Sequence, residues 1–190
     1  MRNGSMNRNK QAIIDAFWEL LEEKPLSKIT VKDIVERCQI NRNTFYYHFQ
    51  DIPLLLECTV QDWGNRIVAD HSRFGSPIDC IAPFAEQAAQ KKRALLHIYR
   101  SVQRERFLPT MDRISLSIVT DYVDNVTKDL TVPADDRVLL IRYYKCVLNG
   151  VLLDWLEHDM DYDLKAATVR LCKLFAGSGK QAFLRSAGDE

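Results

Sequence analysis

Apolar residues return every third or fourth position along almost the whole of this 190-residue chain, and alternating apolar and polar runs bounded by turn residues are missing. A period near 3.6 lines up one face of a helix, whereas a half-buried strand needs a period of two. The expected fold is therefore all-α with about nine helices and no sheet. Gly and Pro number only 7 and 6, so few breaks interrupt these patterns. Hydrophobic residues at 46% and charged residues at 27% match ordinary globular usage, which excludes a disordered or fibrous chain.

Several function classes fall away on composition and motif. No apolar run reaches the length of a membrane span, and the polar start MRNGSMNRNK lacks the apolar core of a secretory signal, so a cytoplasmic protein with no membrane partner is expected. The five cysteines, Cys38, Cys58, Cys80, Cys146 and Cys172, are odd in number, widely spaced and set among apolar neighbours. They read as buried thiols of a reducing compartment, and no His or Cys pair has zinc-ligand spacing, so neither metal nor cofactor is expected. The chain contains no phosphate-binding glycine loop, no HExxH and no GxSxG, so catalysis finds no footing and the chain reads as a non-enzyme.

The helices can be placed in order. The first runs from about Arg8 to Lys24 with Ile13, Phe17, Leu20 and Leu21 as its stripe, and Pro25 closes it. Thr30, with Asp33 three residues on, caps a short second helix bearing Val31, Ile34, Val35 and Cys38. Asn41 caps a third from Arg42 to His48, where Phe45 and Phe49 share a face. Asp51 caps a fourth, with Pro53 in its first turn and a stripe of Leu56, Val60, Trp63 and Ile67, ended by the stretch from Ser72 to Pro77. Further helices are expected near 78–90, 91–106, 110–130, 134–158 and 163–184, parted by Pro109, the turn from Thr131 to Asp135, and the acidic stretch around Asp161.

Ile29 to Phe49, ITVKDIVERCQINRNTFYYHF, is a capped helix, a tight turn and a second helix carrying Thr, aromatic, Tyr and His-Phe positions. It resembles the DNA-binding motif of the TetR/AcrR family of transcriptional regulators. The resemblance implies an N-terminal three-helix helix-turn-helix headpiece over 6–66, with the motif at 30–49, and a C-terminal helical bundle for effector binding and dimerisation over 67–190. Phe45 and Phe49 are expected to bury, leaving Arg42, Asn43, Tyr46 and Tyr47 facing outward beside Thr44. Arg42 and Asn43 have the donors to read base edges, while Thr44, Tyr46 and His48 can donate to phosphate oxygens. Tyr47 can touch a thymine methyl or a sugar. Thr30 and Lys32 stand in the first turn of the second helix, whose partly positive end suits the DNA backbone. For Thr30 a simple cap, and for His48 a locally bonded helix end, are the alternative readings. Two positions depart from the family pattern. Gln39 stands where the turn often carries Gly, which asks it for a left-handed conformation. Asp51-Ile52-Pro53 stands where a Lys often begins the fourth helix, which removes an expected phosphate contact.

Charge gives modest support to a nucleic-acid partner. The net charge is zero, and residues 1–50 carry eight Lys or Arg against six Asp or Glu. Such a protein relies on a few aimed phosphate contacts and on a symmetric dimer rather than on a basic coat. The basic group Lys91, Lys92, Arg93, Arg100, Arg104 and Arg106 reads as a solvated face rather than an anion site.

Pro133 to His158 is apolar on two stripes, Val138, Ile141, Leu148, Leu152 and Trp155 on one, Leu140, Tyr144, Val147 and Val151 on the other. The first stripe, with Leu164, Leu171 and Phe175 of the next helix, is expected to meet a symmetric partner in a four-helix seam, as the resemblance also implies. Trp63, His97, Tyr99, Tyr122, Tyr143 and Tyr144 are candidates to line a ligand cavity of the kind the family uses, against the alternative that they are plain core. The expected protein is thus a homodimeric, ligand-responsive repressor that holds a near-palindromic stretch of double-stranded DNA, with the fourth helix as the lever for a small effector of unknown identity. The alternative is a regulator or activator working through a partner protein, since the body resembles a subgroup of the family that activates dihydroxyacetone kinase genes.

Overall fold

The computed structural model describes residues 2–70 and 75–188. Among them lie ten α-helices, one 3-10 turn at Leu26–Lys28 and no strand. The helices are α1 (Arg2–Glu23), α2 (Val31–Arg37), α3 (Arg42–His48), α4 (Ile52–Asp70), α5 (Pro77–Gln90), α6 (Lys92–Tyr99), α7 (Arg104–Val126), α8 (Ala134–Glu157), α9 (Leu164–Leu174) and α10 (Ser178–Ala187).

Three boundaries differ from those the sequence suggests. Helix α1 begins at Arg2 rather than Arg8, because extending a nucleated helix needs no apolar face. The break between α6 and α7 falls at Arg100–Gln103 and not at Pro109. There the Ser101 hydroxyl donates to the Ile98 carbonyl at 2.7 Å and accepts the Gln103 N–H at 3.1 Å, drawing the backbone out of the helical ladder. Pro109 lies inside α7, near enough to its start that the missing N–H forfeits a single bond. The expected last helix divides in two at Gly177, whose φ of +86° no ordinary side chain adopts at low cost. The expected stop after α4 falls largely on residues 71–74, outside the described residues.

The chain forms two compact units. One joins the residues up to Trp63 with Lys91–Thr110; the other joins Gly64–Gln90 with the residues from Met111 on. In the first, Ile13, Phe17, Leu21, Ile34, Phe45, Phe49, Leu55, Leu56, Leu95 and Ile98 make the core. Helix α6, with Lys91 just before it, packs along α1. Lys91 Nζ lies 4.6 Å over the Trp18 ring, the Ala94 N–H donates to Glu22 at 3.3 Å, and His97 Nδ1 meets the Leu21 carbonyl at 2.7 Å. The last contact satisfies a carbonyl near the end of α1.

In the second unit α5 packs along α9, with Lys165 and Glu86 paired at 2.6 Å. Asp112 of α7 accepts Lys145 at 2.7 and 2.9 Å and Asn149 at 2.8 Å from α8. A Cβ at Gly64 would clash with Ile114, so the end of α4 and α7 touch backbone to side chain there. Helix α8 turns Ile141, Leu148, Leu152 and Trp155 into this unit's own core, all 8% exposed or less. This corrects the seam expected from the sequence: those four residues, and the buried Leu164, are spent inside the chain. Val138, Leu171 and Phe175 stay exposed, joined by Leu139, Tyr143, Val147 and Leu174. The two apolar stripes of α8 made the choice ambiguous in sequence; the burial decides it.

Candidate nucleic-acid interface

Helix α2 starts with a reciprocal cap. The Thr30 hydroxyl accepts the Asp33 N–H at 3.2 Å, while Asp33 Oδ2 accepts both the Thr30 N–H and its hydroxyl at 2.8 Å. Lys24 Nζ adds an ion pair to the same oxygen at 3.0 Å. The Thr30 hydroxyl bond, its backbone N–H and then Lys24 hold the Asp33 carboxyl down at about 2. At the other end Arg37 binds Glu23 and Glu19 of α1, which pulls the Glu23 carboxyl below its ordinary range and the guanidinium further up. Lys24 and Arg37 are thus engaged with carboxylates.

The turn after α2 closes through Gln39 at φ +54°, the left-handed geometry its replacement of Gly demands, with the Ile40 N–H reaching back to the Val35 carbonyl at 3.0 Å. Asn41 Oδ1 then caps α3, accepting the Thr44 N–H at 2.8 Å and the Thr44 hydroxyl at 3.0 Å. Phe45 and Phe49 are buried at 0% and 1%, so α3 has one fixed orientation. Its other face carries Arg42 and Asn43, both exposed, with Tyr46 at 55% and Tyr47 at 67%. The Tyr46 ring meets Phe45 edge-on at 5.4 Å and the Tyr47 ring meets His48 at 5.1 Å, which steadies both phenols at the surface.

Lys32 is exposed in the first turn of α2, paired with Glu36 at 3.7 Å. His48 is half-buried, and burial first, then the nearby Lys10 ammonium, lower its basicity. Thr30 and Thr44 direct their hydroxyl protons at Asp33 and Asn41, so either must rotate before donating to a phosphate oxygen. At the start of α4, Asp51 accepts the Leu54 N–H at 2.7 Å and sets a carboxylate at the helix end where a Lys was missed. Lys10 is the residue that sequence reading passed over: on α1, it stands close enough to His48 and Cys58 to influence both. Its only signal in sequence was its place three and four residues before Ile13 and Ile14.

Charge is distributed differently from the first impression. Lys91–Thr110 carries six Lys or Arg against Glu105 alone, and these residues belong to the same unit as α3. Arg104 lies over the Tyr99 ring at 4.2 Å.

Of the six aromatic and His candidates for a ligand, Trp63, His97 and Tyr99 fall in this unit and Tyr122, Tyr143 and Tyr144 in the other. Trp63 packs edge-on to Trp18 at 6.0 Å, Tyr99 is buried, and His97 serves α1. Tyr122 and Tyr144 form a cluster with Phe183 of α10, and burial raises both phenol pKa values. Tyr143, 62% exposed, lies on the outer face of α8 and lines no interior.

Residues 13–57 match the family model for bacterial regulatory proteins of the tetR family, and residues 77–177 match the model of a transcriptional regulator C-terminal region. The chain belongs to the TetR family. No curated protein matches it by sequence. Among solved structures, this TetR-family chain resembles the dihydroxyacetone kinase operon activator DhaS, with a TM-score of 0.74 and 16% identity over 90% of this chain and 96% of that one. It also resembles a TetR transcriptional regulator from Rhodococcus sp. RHA1, with a TM-score of 0.60 and 15% identity over 90% and 97%. TetR proteins are DNA-binding transcriptional regulators, and no helix among the described residues is long and apolar enough to cross a membrane.

Proposed function

We propose that the chain works as a homodimer that binds a near-palindromic operator, with α3 of each copy entering the major groove about one helical turn, roughly 34 to 36 Å, from the other. The observation that carries this reading is the split of α3. Phe45 and Phe49 lock it from below while Arg42, Asn43, Tyr46 and Tyr47 are held outward on one face. Arg42 and Asn43 are assigned to base edges, Tyr47 to a thymine methyl or sugar, and Tyr46, His48, Thr44, Thr30 and Lys32 to the backbone. The exposed apolar residues of α8 and α9, Leu139, Tyr143, Val147, Leu171, Leu174 and Phe175, support the dimer.

A small effector bound in the C-terminal unit relieves repression in this reading, acting through α4, which runs from the headpiece past Trp63. Activation through a partner protein is the second reading, favoured by the likeness to an operon activator. A reporter gene placed behind the recovered operator separates the two by the sign of its response.

Selection of bound duplexes from a random pool tests the core of the proposal. A two-fold repeat whose half-sites change with Arg42→Ala or Tyr47→Ala is the expected result. Recovery of random sequences would overturn it.

A further inference from the structure

Helix α5 packs along α9, and Lys165 pairs with Glu86 across the contact. Cys80 lies six residues before Glu86 and Cys172 seven after Lys165, about 9 and about 10.5 Å along their helices. A parallel pair of helices would part the two thiols by roughly 20 Å, whereas an antiparallel pair brings them level. The hydroxyl of Tyr122 on α7 feels both thiols, so the helices run antiparallel. That register sets Ala88 level with Leu164, Phe84 with Thr168 and Cys80 with Cys172, in four-residue steps on each helix. All are buried except Cys172, which is half-buried, as two facing stripes require. Ala85 and Ala88 keep the side chains of α5 small on this face. Small side chains let packed helices approach to an axial distance of about 8 Å. With Cα atoms at a radius of about 2.3 Å, facing residues then come within the roughly 7 Å of Cα separation that a disulfide bridges. Both cysteines are free thiols here.

We propose that Cys80 and Cys172 are a redox pair, which a peroxide joins into a disulfide tying α5 to α9. The pair needs neither the dimer nor the operator proposed above. Cys172, half-buried, meets the oxidant first. Its thiolate attacks one peroxide oxygen, the O–O bond breaks, and the departing hydroxide takes up the thiol's proton as water, leaving Cys172 a sulfenic acid. The Cys80 sulfur then attacks the Cys172 sulfur. The S–O bond breaks as the S–S bond forms, and the hydroxide leaves as water with the Cys80 proton. Two thiols thus lose two electrons and two protons, and the peroxide that accepts them ends as two waters. Burial, and then Asp79, push the Cys80 thiol up to about 12, so it stays protonated and does not itself react with peroxide. Disulfides of reducing compartments, where they occur, are transient ones of this redox-sensing kind.

Hydrogen peroxide titrated into the reduced full chain, quenched with N-ethylmaleimide before unfolding, tests the pair. Peptide mapping by mass spectrometry should find the Cys80 and Cys172 peptides joined, with two of the five thiols lost and both restored by dithiothreitol. Cys80→Ser should stop at the sulfenic acid of Cys172, which dimedone labels, and Cys172→Ser should leave Cys80 unmodified at the same peroxide concentration. Cys172 over-oxidised to its sulfinic acid in the unsubstituted chain, with no joined peptide, overturns the pair. So does a chain in which both thiols stay reduced, or one in which either of them is joined to Cys146 instead.

Discussion

Arg37, the last residue of α2, closes both arms of its guanidinium on Glu23 of α1, Nη1 to Oε1 at 2.9 Å and Nη2 to Oε2 at 2.7 Å. With Glu19 also at 3.1 Å, this cation is turned toward the protein and positions α2 instead of meeting phosphate. Arg37→Gln should leave the slope of log affinity against log salt unchanged, whereas Lys32→Gln, at the exposed first turn of α2, should reduce its magnitude by about 0.9, one phosphate contact on duplex DNA. Fluorescence anisotropy across a salt series reads both slopes. A fall with Arg37→Gln as large as with Lys32→Gln would place Arg37 at the DNA.

Acid should loosen the same joint. The Asp33 carboxyl is held at about 2 in the folded chain against 3.8 ordinarily, so its bonds to Thr30 and Lys24 stabilise the fold above the upper value. That contribution fades as the pH falls from 3.8 toward 2, because the unfolded chain takes up the proton first. Asp33→Asn should therefore melt earlier than the unsubstituted chain at neutral pH, with the two melting curves converging toward pH 2. A gap that stays constant across the titration would rule out the carboxylate as the cause.

The division of α3 predicts a separation of stability from binding. Phe45→Ala should cost about 3 to 5 kcal/mol in denaturant unfolding, since it empties a fully buried site. Tyr47→Ala, on the exposed face, should change stability by no more than about 0.5 kcal/mol while altering the selected half-site. Equal losses of stability in the two variants would mean that Tyr47 is structural.

Local chemistry was the most legible part of this chain. Thr30 with Asp33, Asn41 before Arg42, and the Phe45–Phe49 spacing each specify a cap or a buried face within a few residues, and the structure has all three. What needed coordinates was any choice between two equally apolar alternatives. Helix α8 offers two stripes, and only the burial of Ile141, Leu148, Leu152 and Trp155 shows which one the chain keeps for itself. The same holds for chain breaks: Pro109 is the louder signal, but the bonds of the Ser101 hydroxyl stop the helix. Membership of α6 in the unit of α3 was also illegible, because it depends on His97, Ala94 and Lys91 meeting residues of α1 more than seventy positions away. Long-range pairing of this kind leaves no local period to read.

Lys10 carries the last prediction. Its ammonium lowers the basicity of His48, second to the effect of burial, and both residues lie on the unit that bears α3. Lys10→Gln removes one of the two causes, so the His48 pKa should rise toward its ordinary value of 6.5 without reaching it, since burial persists. Proton NMR of the imidazole against pH measures this directly. With its pKa depressed, His48 costs the fold stability as the pH drops below 6.5, because the unfolded chain protonates more readily. The variant should recover part of that loss near pH 5.5 and none at pH 8. If Lys10 also supplies the phosphate contact displaced by Asp51, the salt slope of DNA binding should lessen by about 0.9 in the same variant. A shifted imidazole with an unchanged slope would confine Lys10 to the protein's own electrostatics.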